Sequence, residues 1–359
     1  MNARRRPRKV VATRTMERRR RRRRAVVALG ITTALLVGTA YGTWRYIEEN
    51  EYLLQERCEV TVGEDAMELS PHRTRNAAMI TAAAVDRGLP PEAAVHGMAI
   101  SMQEEDLLAR QAESEDDPRA LFARGTPSWA DGPAAQVAET SIAGFFDVLE
   151  SSWRAGAEAE EDADDGDEAE EDAAPEFWTP ELPLDEAAAV LERPHNAQFY
   201  PQHAARARAF AWPLAGQQPV DMTCHLSQRD VPEADPEGLV DEVVTVLPRA
   251  LQIPFTEPAE DADEEEAEEF EPEPILDGVV DVTGEGENAL VRIQVPESEG
   301  DYDYQWMLAH WSVAVARDFG IQTVEAGPYT WQRDTARWDR TAEGASSSTE
   351  VTLGFSRDS

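Results

Sequence analysis

Residues 73–109 read RTRNAAMITAAAVDRGLPPEAAVHGMAISMQEEDLLA, and the spacing of their apolar side chains predicts two consecutive helices. Over residues 73–87, Ala77, Ile80, Ala84 and Val85 recur three or four positions apart, as one face of a helix requires, and Gly88 and Pro90 supply a stop. Pro91 opens a second helix near residues 91–109, because its fixed φ suits a first turn whose N–H groups have no helical partner anyway. Ala94, Met98 and Met102 form the apolar face of that helix. Working outward, helices are expected over residues 133–153, with Phe145, Phe146 and Leu149, and over 184–192 and 197–212. The stretch from Cys58 to Cys224 therefore reads as an all-α unit.

Beyond it the pattern changes. A helix is expected over residues 236–251, a strand over 289–295 (ALVRIQV), and a helix over 304–319 ended by Gly320. Strands over 321–325, 329–332 and 349–355 complete a small sheet, so residues 236–355 read as an α+β domain with helices on one face of the sheet. The chain as a whole is of the α+β class, with a single transmembrane helix preceding a domain at 58–224 and a smaller one at 236–355.

The transmembrane helix is expected at residues 25–44, AVVALGITTALLVGTAYGTW, which carry no charge; twenty helical residues at about 1.5 Å each span the roughly 30 Å of a bilayer core. Arg18 to Arg24 precede it, and Arg45, Glu48, Glu49 and Glu51 follow. The positive-inside rule thus keeps the basic tail, residues 1–24, in the cytoplasm and exports the rest across the cell membrane. The competing reading is a cleaved signal peptide, with Gly38 and Ala40 as the small residues of its cleavage site.

Charge narrows the partners. The net charge is −38, yet residues 1–24 hold 13 of the 33 basic residues and only one acid, Glu17, so residues 25–359 carry about −50. Such a field repels nucleic acid and anionic headgroups, which excludes nucleic acid as a partner of the exported part. Lys9 is the only lysine, and an acidic, lysine-poor surface stays hydrated and self-screened in high salt. The acidic runs 157–174 and 257–274 cannot build a packed core and read as solvated insertions.

Motifs for other chemistry are missing. No G-x-S-x-G occurs, and Gly284-Glu285-Gly286-Glu287 lacks the third glycine of a dinucleotide fingerprint, so no cofactor is expected. His195, His203 and His225 match no zinc spacing, and no metal site is assigned. Trp306, Trp311, Trp331 and Trp338 could form a carbohydrate or peptide platform, although core packing is the simpler account of Trp306 and Trp311. Cys58 and Cys224 belong to no CxxC motif; in an oxidising compartment the natural inference is one disulfide, the alternative being two unrelated buried thiols.

Residues 95–111, VHGMAISMQEEDLLARQ, resemble a family of actinobacterial membrane-anchored exported proteins with a lysozyme-like helical domain, often labelled heavy-metal transporters. The usual text of that family is a helix ending Ala-Leu-Gln-Glu-Ser, then a Gly-Asp-Arg-Asp-Ser-Leu-Gly-Leu-Phe-Gln-Gln loop and a Gly-Trp-Gly. Here Ser101, Met102, Gln103 and Glu104 match the helix end, Asp116, Asp117, Leu121 and Phe122 the loop, and Trp129 with Gly132 its close. Residues 187–211 and the tail, with Trp306, Gly320 and Trp331, are also similar to the family. The resemblance implies a relation to lytic transglycosylases, in which Glu104 would be the general acid that protonates a glycosidic oxygen. Glu105 replaces the family's serine, Ala123 its sugar-orienting glutamine and Ala120 its first glycine. The expectation is therefore a non-catalytic wall-binding or scaffolding module whose partners are peptidoglycan or envelope proteins. Cleavage through Glu104 is the alternative, and a metal-handling accessory role a second.

Overall fold

The computed structural model describes residues 56–357 apart from 64, 109–120, 123–137, 163–174, 194, 220, 258–269, 271, 299–301 and 341–348. The expected basic tail and membrane helix, residues 1–44, lie outside the described residues. No helix among those described is long and apolar enough to cross a membrane.

Two strands open the fold, β1 (Arg57–Val62) and β2 (Asp65–Leu69), paired antiparallel across a turn at Gly63, whose φ of +67° suits a residue without a Cβ. Helices α1 (Pro71–Asp86) and α2 (Pro91–Glu105) follow as expected, each starting on a proline. At Gly97 of α2 an added Cβ would stand 3.1 Å from Phe145 and 3.3 Å from Ile80, so this glycine lets neighbouring helices approach closely. Helix α3 (Ala138–Asp162) runs further than expected and enters the acidic run 157–174, because alanine and glutamate sustain a helix even where nothing packs on it. After α4 (Leu184–Val190), the helix expected over 197–212 is broken. Two short 3-10 turns, Ala197–Phe199 and Pro201–His203, precede α5 (Ala204–Leu214), since Pro201 has no N–H to carry a continuous run of helical hydrogen bonds through the segment.

Strand β3 (Met222–His225) then returns to β1, giving a three-stranded antiparallel sheet in the order β2-β1-β3. The segment read as all-α thus carries a sheet at its two ends. Its third strand lies more than 150 residues from the first, beyond the reach of any local pattern. Cys58 and Cys224 stand opposite each other in the β1–β3 register, both fully buried, and are joined by a disulfide across 166 residues.

The second sheet assembles from α6 (Pro236–Val246) onward. Its strands β4 (Val280–Thr283), β5 (Leu290–Gln294), β6 (Thr323–Ala326), β7 (Tyr329–Gln332), β8 (Arg337–Arg340) and β9 (Glu350–Gly354) are ordered β4-β5-β9-β6-β7-β8, every pair antiparallel. Register aligns Val291, Leu353, Val324 and Trp331 in one buried cross-strand row. Strands β4 and β8 are additional to those expected. The acidic run 257–274 leaves and re-enters through a paired neck, Phe255 opposite Pro274, with Thr256 N–H donating to Glu273 O at 2.8 Å.

Helix α7 (Tyr304–Phe319) has the bounds its sequence predicts, with Asp303 accepting from Trp306 N–H at 3.1 Å and Gly320 at φ +75° closing it. It packs on α1, α5, β3, β6 and β9, so residues 58–224 and 236–355 share one core within a single compact unit, Glu56–Ser359. Several contacts join the two segments. Gly216 (φ +81°) lies so close to Asp303 that an added Cβ would stand 2.0 Å from its carbonyl oxygen; Arg75 donates to both Glu242 oxygens at 2.7 Å; and Trp331 and Trp338 donate to Thr223 Oγ1 and Met222 O. Trp306, Trp311 and Trp331 are buried, in accord with core packing. Arg333, 1% exposed, aims Nη1 at Ala316 O (2.9 Å) and Ile321 O (3.2 Å), placing a cation where the last carbonyls of α7 end.

Two predictions follow from this core. On the chain-entropy account the Cys58–Cys224 bridge stabilises by about 5 kcal/mol. Urea unfolding with and without reductant should show a markedly lower midpoint when the bridge is open; an unmoved midpoint with both thiols titrating as free would contradict the account. His310, fully buried on α7 with Nδ1 2.6 Å from Pro213 O, is held at a pKa of about 4, chiefly by burial, with that backbone hydrogen bond acting against it. The unfolded chain takes up this proton near pH 6.5, so the contribution of His310 is intact above pH 6.5 and is lost as pH falls to about 4, on the order of 3 kcal/mol. Protonating carboxylates in so acidic a chain relieves repulsion, so the readout is the difference between wild type and His310→Gln. Equal losses in both proteins between pH 7 and 4 would rule out His310 as the source.

Candidate functional site

The last turn of α2 carries Gln103, Glu104 and Glu105, and segments from later in the chain close over it. Two successive left-handed residues, Asp106 (φ 56°) and Leu107 (φ 55°), end the helix there, four positions earlier than expected. Leu107 is buried, and its carbonyl accepts from Asn76 Nδ2 at 2.8 Å; Asp106 pairs with Arg73.

Arg193, just beyond α4, reaches back to Glu104 in a fork. Its Nε donates to Oε1 at 2.8 Å and its Nη2 to Oε2 at 2.7 Å. The side chain of Arg193 is 1% exposed and that of Glu104 0%. Tyr200 adds a hydroxyl donor to Glu104 Oε1 at 3.1 Å while accepting from His195 N–H at 3.3 Å. Burial, then the adjacent Glu104 carboxylate, pushes the Tyr200 hydroxyl well up, so it remains a donor at any ordinary pH. The Arg193 guanidinium lies 5.7 Å from the ring centre of Phe145, which gives its flat face an aromatic floor. Fork and phenol satisfy both oxygens of the Glu104 side chain out of contact with water, and the aromatic floor backs the guanidinium.

Alongside, Gln103 Oε1 accepts from Gln202 Nε2 at 2.7 Å and lies 3.1 Å from His203 Nε2. Burial and Arg206 lower the pKa of His203, and Asp106 opposes them. A cleft of about 680 Å³ opens between β2 and the 202–206 segment, lined by Met67, Glu68, His203 and Arg206 among others. From the expected loop motif, Leu121 and Phe122 are buried against the helices. Ser101 Oγ donates to Leu121 O at 2.7 Å, and Phe122 stacks on Phe145 with ring centres 4.2 Å apart. Asp116, Asp117, Ala120, Ala123, Trp129 and Gly132 lie outside the described residues.

The three histidines weighed as metal ligands have separate surroundings: His195 beside Tyr200, His203 on Gln103, and His225 with Nε2 3.0 Å from Glu59. Among the described residues no group of three His, Cys, Asp or Glu side chains is placed to hold a metal ion. Arg193 and Tyr200 were not singled out from the sequence. The only signal for Arg193 was a lone cation following the apolar run of α4 in a chain short of cations.

Removing one member of this pair should be costly. Glu104→Gln leaves a buried guanidinium without its counter-charge and should lower the unfolding free energy by about 3 to 5 kcal/mol, whereas replacing both partners by apolar residues, Glu104→Leu with Arg193→Met, should recover most of that. Chemical denaturation of the three proteins checks this; a Glu104→Gln protein as stable as wild type would contradict it. The chain matches no protein-family model, and no curated protein or solved structure is significantly similar to it.

Proposed function

We propose that this chain is a membrane-tethered protein of the cell envelope whose exported part, residues 58–355, binds or scaffolds the wall without cleaving it, as a degenerate relative of lysozyme-like domains. The observation that carries the non-catalytic reading is the Arg193 fork on Glu104. A glycosidic general acid has to hold a proton at neutral pH and present it to the leaving oxygen, which calls for a carboxyl raised by an apolar pocket and open to the substrate. Glu104 has the opposite surroundings: a bidentate cation, a phenol donor and a side chain sealed from solvent. The same carboxylate then serves as a tie between α2 and the 193–203 segment. Departures at Glu105, Ala120 and Ala123 from the lysozyme-like pattern support the same reading. An exported location is supported by the uncharged run at 25–44 with its arginine flank and by the Cys58–Cys224 disulfide, a bond that persists in oxidising compartments.

The test is co-sedimentation of the full chain, in mild detergent, with purified peptidoglycan sacculi, followed by analysis of the supernatant for muropeptides. Protein in the pellet and no released muropeptide is the expected result. Release that disappears in a folded Glu104→Gln protein would overturn the non-catalytic reading, and absence of both binding and release would overturn the wall reading altogether.

A further inference from the structure

A second cleft, away from Glu104, is built around a buried histidine that the Glu104 node does not use. It encloses about 720 Å³ where the starts of α2 and α4 meet α5, with walls that include Pro91, Pro180 and Leu184. His96 lies on it, 5% exposed. Trp178, fully buried, donates Nε1–H to His96 Nδ1 at 3.0 Å, and the two rings meet edge to face at 5.8 Å. That bond fixes the tautomer. With Nδ1 accepting, the proton of the neutral ring sits on Nε2, the nitrogen that Trp178 leaves free of its bond. Burial and Arg208 hold the ring neutral by lowering its pKa to about 4. His96 therefore offers one immobile N–H donor and no charge.

Arg208 shares the cleft, its guanidinium 5.8 Å from the ring centre of Trp212. Among the described residues it makes no ion pair, in a chain with 71 acids to 33 bases. Glu92 and Glu181 also line the cleft and are likewise in no ion pair among the described residues. Two donors, one of them cationic, and two carboxylates thus share one cavity whose walls are part polar and part apolar. A simple anion would meet the glutamates as well as the arginine, and a simple cation the reverse; a ligand carrying both signs satisfies each.

We propose that this cleft binds the carboxyl end of a short zwitterionic peptide, the carboxylate received by Arg208 and His96 Nε2–H and the ammonium by Glu92 or Glu181. The proposal deepens the wall-binding reading and rests on it for the origin of the ligand, since a wall is a place where short peptides are displayed.

Isothermal titration of the full chain in mild detergent with the dipeptide alanyl-alanine, in L,L and D,D forms, tests it. At least one form should bind saturably. Its carboxamide, and the free acid with Arg208→Gln, should each bind about tenfold more weakly or worse, as loss of a charge-assisted hydrogen bond implies. The N-acetylated dipeptide should also bind more weakly, and inorganic phosphate should not compete. No saturation by either form at millimolar concentration, equal binding of acid and amide, or an unaffected Arg208→Gln protein would overturn the proposal. Competition by phosphate, or undiminished binding after acetylation, would overturn the zwitterion assignment. Sacculus binding that persists while both dipeptides fail sinks this inference alone; loss of sacculus binding with dipeptide binding intact sinks the wall reading instead.

Discussion

Helix α7 is apolar on nearly every side, and that constraint organises everything around it. Thirteen of its sixteen residues are buried, from Gln305 to Phe319. A helix of this kind cannot lie on a surface, because each exposed face would cost about 25 cal/mol per Å² of apolar area left in water. One side is covered by the central strands β6 and β9, and others by α1, α5 and β3. Covering it requires elements drawn from both halves of the chain. The two segments therefore merge around one helix, where separate packing would have left it half exposed.

Some of the polar groups inside this arrangement find partners in what lies nearest. His310 meets the carbonyl of Pro213 on α5, and Arg333 meets the carbonyls at the end of α7. Glu56 accepts from Arg317 at 2.7 Å and from Ser227 N–H at 2.9 Å, drawing the start of β1 to the end of α7. Burial first raises the pKa of Glu56, but the Ser227 and Arg317 hydrogen bonds outweigh it, and the net shift is downward. The Glu104–Arg193 fork follows the same logic at the far end of α2. Such a pair contributes little net stability compared with an apolar pair of the same size, yet once its surroundings are built around it, neither partner can be removed cheaply. Its value lies in fixing where the 193–203 segment sits.

Edges and charge fit the same economy of placement. Of the four outermost strands, β2, β4 and β8 are four or five residues long and carry Asp65 and Glu68, Asp281, and Arg337, Asp339 and Arg340; β3 is the fourth. Short charged edges discourage pairing with a second sheet, a hazard for any open antiparallel sheet. At the two ends of the acidic run 257–274, Phe255 pairs with Pro274.

Local pattern in the sequence determined a good deal. The bounds of helix α7 were legible, with Gly320 as a chain-local stop signal, and α1 and α2 were legible through their apolar periods, the Gly88 and Pro90 stop and Pro91. Strands β5, β6, β7 and β9 showed in their alternation, and the two cysteines suggested their own bond. The tertiary structure alone decided the β2-β1-β3 sheet, the early end of α2 at two left-handed residues, and the partner of Glu104. Arg193 stands 89 residues from Glu104, and β3 stands more than 150 residues from β1. Periodicity and capping report forces that act within a few residues; pairing at such separations is fixed only when a shared core, here the surroundings of α7, has brought the distant segments together.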